Sequence, residues 1–394
     1  MRALIMDQGL DRGSLAAVRA LRDDGWTVGV GSPIRGLAGS SRAVSRWHEV
    51  PKAECGVREY LEAVRTAVDE GGYDVVFTSD DIGVIALSRH RDGLGAVVPY
   101  ACHDTVVRSL DKLGMTCAAR AVGLEVPATS RATDDALERL EAPTIVKPRL
   151  HSVLKPGAPG RLETVLARSP EEARRAVARI REAGVEAILQ EVIQGDLMSF
   201  QAVVDRDGRM LAPVQQRSPR TWPPDSGSAA RAHTVAIDPV LAARVEAFFQ
   251  RLGWFGLAQL QFIAPHDGGA PRLIDLNGRY YSSLALAVAS GPNLPGIWAR
   301  LATGRPVGPI PPSEPGHSYQ WFSRDLRASW RAEGLRGAAG TMRISAASVH
   351  SVWRHDDPWP SFHHYSSQLA ASGGRRLHAV VQFLAALGAG SSLL

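Results

Sequence analysis

Asp275, Asn277 and Arg279 stand two residues apart in RLIDLNGRYYSS (272–283), and Gln261 lies a few residues upstream in GLAQLQFI (256–263). Alternate residues of an extended chain share a face. A strand through 272–283 therefore projects a carboxylate, a carboxamide and a guanidinium to one side, and Gln261 can meet them from the neighbouring strand. Oxygen donors of this kind suit a hard divalent cation, and a planar guanidinium beside them suits phosphate. The stretch reads as a place where a metal and phosphate oxygens meet.

Such a site needs two paired, buried strands. GLAQLQFI alternates as a strand does, a turn follows at His266 to Pro271, and 272–283 is expected to return as the second strand. Other segments carry isolated charges in apolar surroundings. PTIVKP (143–148) is a short strand with Lys147, and SLDKLGMTCAARAVGLEVPAT (109–129) is a helix and turn with Lys112. AILQEVIQGD (187–196) runs from an apolar strand into Glu191, Val192, Ile193 and Asp196. FQAVVDRDGRMLAPVQQR (200–217) is a hairpin turning at Asp207 and Gly208. RSPRTWPPDSGSAARAH (217–233) then combines Arg217, Arg220 and Trp222 with a Gly/Ser tip. In HSVLKPGAPGRLET (151–164), Lys155 sits in a Gly/Pro-rich loop whose Gly157 and Gly160 allow backbone amides close to phosphate.

Taken in order, these motifs resemble the ATP-grasp superfamily over about residues 1–310. QF (261–262) and DLNGR (275–279) match its metal-binding strand pair, with one departure: members usually carry Glu at both positions held here by Gln261 and Asp275. An amide oxygen still coordinates Mg²⁺, but the site has one formal negative charge fewer. The resemblance implies ATP with Mg²⁺, or Mn²⁺ in its place, as cofactors. It implies Gln261, Asp275 and Asn277 as metal ligands, Lys112, Lys147 and Lys155 on phosphates, the last from a mobile flap, and Glu191, Val192, Ile193 and Asp196 on adenine and ribose. Arg279, Arg217 and Arg220 are the implied catalytic residues, acting on the transferring phosphoryl group or an acyl-phosphate. The implied reaction activates a carboxylate as an acyl-phosphate and couples it to an amine, releasing ADP and phosphate. Amino acids or small peptides are the expected substrates. A degenerate nucleotide-binding module and a carboxylase- or kinase-type enzyme remain as alternatives.

The implied architecture is α/β, with α+β character in the ATP-grasp unit. A pre-ATP-grasp parallel-sheet domain spans 1–108, and the ATP-grasp domain spans 109–310, divided into 109–185 and 186–310. A C-terminal extension, 311–394, is expected to pack on the catalytic body through Trp321, Trp330, Trp353 and Trp359. Within the first hundred residues ALIMD, WTVGVGS, YDVVFTSDD and AVVPY alternate with helical stretches, a βαβ rhythm. GVGSPIRG (29–36) has the wrong glycine spacing and the wrong strand for a dinucleotide loop. Ser79, Asp80 and Asp81 end a strand at the ligand-binding edge of the sheet, or simply cap the helix that follows.

Composition is that of an ordinary globular chain: 394 residues, 45% hydrophobic, 22% charged, net charge +5. The basic residues form no run, which argues against a nucleic-acid partner. No uncharged apolar stretch is long enough to span a bilayer, and 375–390 reads as a packed terminal helix. Cys55, Cys102 and Cys117 have neither metal-ligand spacing nor an even count, which fits a reducing cytoplasm. HDDPWPSFHH (355–364) is expected to be a surface loop, and a homodimer is compatible with the reading.

Overall fold

The computed structural model describes residues 1–150, 162–224 and 227–371. The loop with Lys155, Gly157 and Gly160 and the apolar segment 375–390 lie outside these residues. The described residues form a mixed α/β fold built on three sheets.

The N-terminal sheet is parallel in the order β3 (Val44–Glu49), β2 (Thr27–Ser32), β1 (Arg2–Met6), β4 (Val75–Thr78). Helices α1 (Arg12–Asp23), α2 (Val57–Gly71) and α3 (Asp81–Arg89) connect its strands or follow them. β1 and β4 are buried almost throughout, as strands covered on both faces must be. AVVPY, expected as a strand, makes one parallel bridge between Val97 and Val75 and goes no further. β3 was not anticipated, because an edge strand reading VSRWHE has no apolar alternation to betray it.

Helices α4 (His103–Leu110) and α5 (Lys112–Arg120) lead into a small antiparallel sheet of β5 (Thr129–Arg131), β6 (Thr144–Pro148), β7 (Val165–Ala167) and β8 (Ala187–Gln190), ordered β5-β8-β6-β7. A short α6 (Asp134–Glu138) joins β5 to β6. Across the sheet lies α7 (Pro170–Glu182), capped by Ser169 with proline in its first turn. Its buried Ala173, Ala176, Val177 and Ile180 follow helical spacing and pack on Val146 and Leu189. Because Val146 faces this helix, Lys147 on the same strand points the other way.

The large sheet has the order β13-β12-β9-β10-β11-β14-β15, from β9 (Gly195–Val204), β10 (Met210–Trp222), β11 (Ser228–Val235), β12 (Gly256–Pro265), β13 (Arg272–Asn277), β14 (Ser318–Gln320) and β15 (Val349–His350). Gly208, at φ 78°, turns β9 into β10. α8 (Pro239–Leu252) begins at an Asp238 cap and ends at left-handed Gly253. β13 is shorter than the strand expected over 272–283, ending at Asn277. Gly278 lies flat against Trp254, where a Cβ would sit 2.3 Å from the indole, and the chain turns there. Helices α9 (Leu284–Ala289) and α10 (Leu294–Ala302) follow, and α11 (Phe322–Ser345) breaks at Gly334 (φ 58°, ψ −137°).

The last described helix is α12 (Trp359–Ala371). The segment before it is no surface loop: Asp357 is 2% exposed and accepts from Arg19 Nε (2.9 Å), Ser41 Oγ (2.5 Å) and the Arg42 amide (2.9 Å). This carboxylate pins the C-terminal segment to α1 and to the turn before β3. Of the four tryptophans expected to pack, Trp330 and Trp359 are instead more than half exposed.

Candidate active site

Three residues far apart in sequence converge beneath the small sheet. Lys112, at the start of α5 and buried, donates from Nζ to Asp275 Oδ1 on β13. Asp111 caps that helix by accepting from the Leu113 amide, so the first helical turn aims Lys112 at the large sheet. Lys147, half-buried on the inner strand β6, donates to Gln190 Oε1 at 2.8 Å. Its pKa is lowered to about 8, first by burial and then by Lys112, with Asp275 opposing. Lys112, Lys147 and Asp275 therefore share one electrostatic environment. Arg149 ties the two supporting elements together, donating to both Asp111 oxygens (2.8 and 2.6 Å) and to Glu186 (2.8 Å), while its carbonyl accepts from the Lys112 amide.

Cross-strand partners share a sheet face. Asp275 pairs with Gln261, Gln261 with Ser199 and Ser199 with Gln216, while Asn277 pairs with Gln259 and Gln259 with Gln201. One face thus carries the three expected metal ligands and a row of amides. Asn277 Nδ2 donates to Gln259 Oε1 (3.2 Å), and Ser283 Oγ donates to Gln216 Oε1 (2.9 Å). Gln259 lies two residues from Gln261 on the same strand, so alternation alone would have found it. The same register puts Arg217, paired with Met198 and His233, on the opposite face, where it is exposed. Arg217 and burial together lower the pKa of His233, burial more strongly.

Arg279 lies just past the strand yet stays with the site. It donates to Asn277 Oδ1 (3.1 Å) and to both oxygens of Asp81 (2.7 and 3.3 Å), at the first turn of α3. Asp80 is the cap of that helix, so the two readings of this acidic pair fall on different residues. Arg220 is held elsewhere, by Asp325 of α11 at 2.9 Å, which is fully buried and also accepts from Arg231 and Gln320. Glu191 spends its carboxylate on the Ala128 amide (3.0 Å) and Arg272 (2.9 Å). Val192 and Ile193, in the linker to β9, are half-buried, and Asp196 faces His266 at 3.3 Å.

Gln261, Asp275 and Asn277 are all oxygen donors, the chemistry Mg²⁺ accepts, but they bring one formal charge. Among the described residues no group of three or more His, Cys, Asp or Glu is placed to hold a metal ion. The set fits a cation shared with phosphate oxygens, and fits poorly one held by protein alone. Lys112 already supplies a positive charge at Asp275.

No protein-family model matches this sequence, and no curated protein does. Solved structures do match. A biotin carboxylase from Campylobacter jejuni in a β,γ-ATP complex superposes with TM-score 0.62 at 12% identity, covering 80% of this chain and 74% of that one. An L-amino acid ligase from Bacillus licheniformis gives 0.59 at 16%, covering 77% and 74%. The biotin carboxylase domain of Hydrogenobacter thermophilus 2-oxoglutarate carboxylase, a dimer with MgADP and bicarbonate, gives 0.61 at 13%, covering 80% and 73%. At these identities the likeness is one of fold. The chain has the ATP-grasp fold.

Proposed function

We propose that the protein is an ATP- and Mg²⁺-dependent ligase that activates a carboxylate as its acyl-phosphate and joins it to an amine, releasing ADP and phosphate. The observation that carries this is the convergence of Lys112, Lys147 and Asp275 from α5, β6 and β13. Two ammonium groups flanking one carboxylate form a cradle for a polyphosphate accompanied by a divalent cation. Four lysines occur in the chain, Lys52, Lys112, Lys147 and Lys155, against a majority of arginines, and three of the four fall in the phosphate-binding motifs. Mg²⁺, with Mn²⁺ as a substitute, supplies charge neutralisation between phosphate oxygens.

In this reading Lys112 moves from Asp275 to phosphate when nucleotide arrives, freeing the carboxylate for the cation. Lys147 contributes a compact charge from the small sheet, joined by Lys155. Arg279, fixed in orientation by Asp81 and Asn277, neutralises charge on the transferred phosphoryl group. The linker of Glu191, Val192 and Ile193 offers backbone groups to adenine, since the Glu191 side chain is engaged elsewhere, and Asp196 is assigned to the ribose. Arg220 and Arg217 have the weaker claim, one locked to Asp325 and one on the far face of the sheet. The division at residues 108, 185 and 310 is kept as a working one, although β8 of the small sheet lies past 185 and the 311–394 segment adds β14 and β15 to the edge of the large sheet. A cytoplasmic setting agrees with three unpaired cysteines, and no described helix is long and apolar enough to cross a membrane.

The test is ADP and phosphate release from MgATP with pairs of L-amino acids or small peptides. Release that requires both a carboxylate and an amine is the expected result. Two of the neighbours named above are biotin carboxylases, one with bicarbonate bound. ADP release driven by bicarbonate without amine would replace the ligase reading with a carboxylase-type one. Nucleotide binding with no turnover under any condition would leave a binding module, the outcome that Gln261 favours.

A further inference from the structure

Four carboxylates gather at the carboxyl edge of the N-terminal sheet. Asp80 caps α3, accepting from Gly83 (2.7 Å) and Thr78 Oγ1 (2.9 Å). Asp81 holds Arg279, and Asp11 caps α1, accepting from Gly13 (2.6 Å). Asp7 differs from all three. It directly follows β1 and is 5% exposed, yet neither of its oxygens has a hydrogen-bond partner among the described residues. The hydroxyls of Ser14, in the first turn of α1, and Ser79, which follows β4, are 0% and 2% exposed and also lack partners among them.

A buried polar group without a partner is unfavourable, so three at one edge ask for an occupant. Burial, and then Asp11, raise the Asp7 carboxyl to about 7, while the nearby Ser14 hydroxyl and the Gly9 and Gln8 amides oppose the rise without forming a well-shaped bond. The charges facing this edge are unequal. Asp7, Asp11, Asp80 and Asp81 meet Arg279, whose field also reaches Asp11. Arg12 is turned aside, donating to Tyr319 Oη at 3.0 Å and lying over the Trp321 ring at 3.5 Å. A carboxylate with two hydroxyls is the complement of an ammonium, which brings three donors and a positive charge.

We infer that Asp7, with Ser14 and Ser79, receives the ammonium group of the amine substrate at the carboxyl edge of the N-terminal sheet. The inference rests on the ligase reading above. Arg279 connects the two places, touching Asp81 at this edge and Asn277 at the metal face. An amine seated here lies one guanidinium away from the phosphate cradle. Asp7 is buried in this conformation, so admission requires the flanking loop at Gln8 to Leu10 to move.

The experiment is equilibrium binding to the full chain, in Mg²⁺ and a non-hydrolysable ATP analogue. The probes are the twenty L-amino acids, putrescine and ethanolamine, each beside its N-acetylated form. At least one free amine should bind, its acetylated form at least tenfold more weakly. Asp7→Asn should weaken that amine at least tenfold and leave nucleotide affinity within twofold. Binding of no amine, equal binding of amine and acetylated form, or parent-like binding by Asp7→Asn would each overturn the inference. Should Asp7→Asn lose nucleotide binding through misfolding, Ser79→Ala decides: several-fold weaker amine binding supports the site and unchanged affinity refutes it. Binding is read without turnover, so a failure here is separate from a failure of the ligase reading, which ADP release tests.

Discussion

Strand β6 of the small sheet and helix α5 each bring a lysine to the same place but hold it under different terms. Lys112 is buried and neutralised by Asp275, so its charge is satisfied within the resting protein. Lys147 has a neutral partner in Gln190, is partly desolvated, and feels Lys112 as a like charge. The first is a latch and the second an unmet positive charge. A polyanion entering between the sheets relieves Lys147 directly, but reaches Lys112 only by displacing Asp275.

The largest effect belongs to Asp275, which serves both the latch and the cation. Asp275→Asn should lower the ADP-release rate by about 100-fold or more, with the fold retained by circular dichroism. Turnover within a few-fold of the parent would remove Asp275 from the metal site.

Lys147→Ala comes next, because it deletes a charge and leaves only the neutral carboxamide oxygen of Gln190 without its donor. Loss of one charge-assisted contact costs about 1.5–3 kcal/mol, so MgATP should bind roughly 10- to 150-fold more weakly by calorimetry. Lys112→Ala should weaken MgATP to a similar degree while also lowering the unfolding midpoint, since it removes the ion pair that ties α5 to Asp275 on β13. Equal stability losses in the two variants would erase the distinction between latch and free charge.

A smaller effect follows from the depressed pKa of Lys147. Below about 8 the ammonium is charged and ready for phosphate; above it, the free protein must take up a proton to bind. MgATP affinity should therefore fall as pH rises through about 8, by at most about tenfold per pH unit. Lys147→Met should flatten that dependence, and an unchanged slope in the variant would assign it to another group. The smallest effect is expected of Gln261→Glu, which adds the missing charge where Gln261 pairs with Asp275. Mg²⁺ measured with nucleotide present should bind a few-fold more tightly; no change would place Gln261 outside the metal shell.

How much of this could be read from the chain depends on the distance over which a residue finds its partner. β12 and β13 were legible because alternation is local, as were the Asp207–Gly208 turn and the βαβ rhythm. The end of β13 was not, since Gly278 stops the strand only by meeting Trp254. The lysines were placed by motif, but their relation to Asp275 is a tertiary matter across 163 residues for Lys112. Asp81 could be read as a cap or a crevice residue and proved to be the Arg279 partner, 198 residues away. Asp325 and Asp357 left no local signal at all. Each is an ordinary-looking acid in a polar stretch, and each is buried by arginines brought from elsewhere in the fold.

The most direct test is a crystal structure with a non-hydrolysable ATP analogue and Mg²⁺. The triphosphate should lie between Lys112 and Lys147, with the cation on Asp275 and Lys112 withdrawn from that carboxylate. Nucleotide bound elsewhere, or Lys112 still paired with Asp275 beside an occupied phosphate site, would contradict the account.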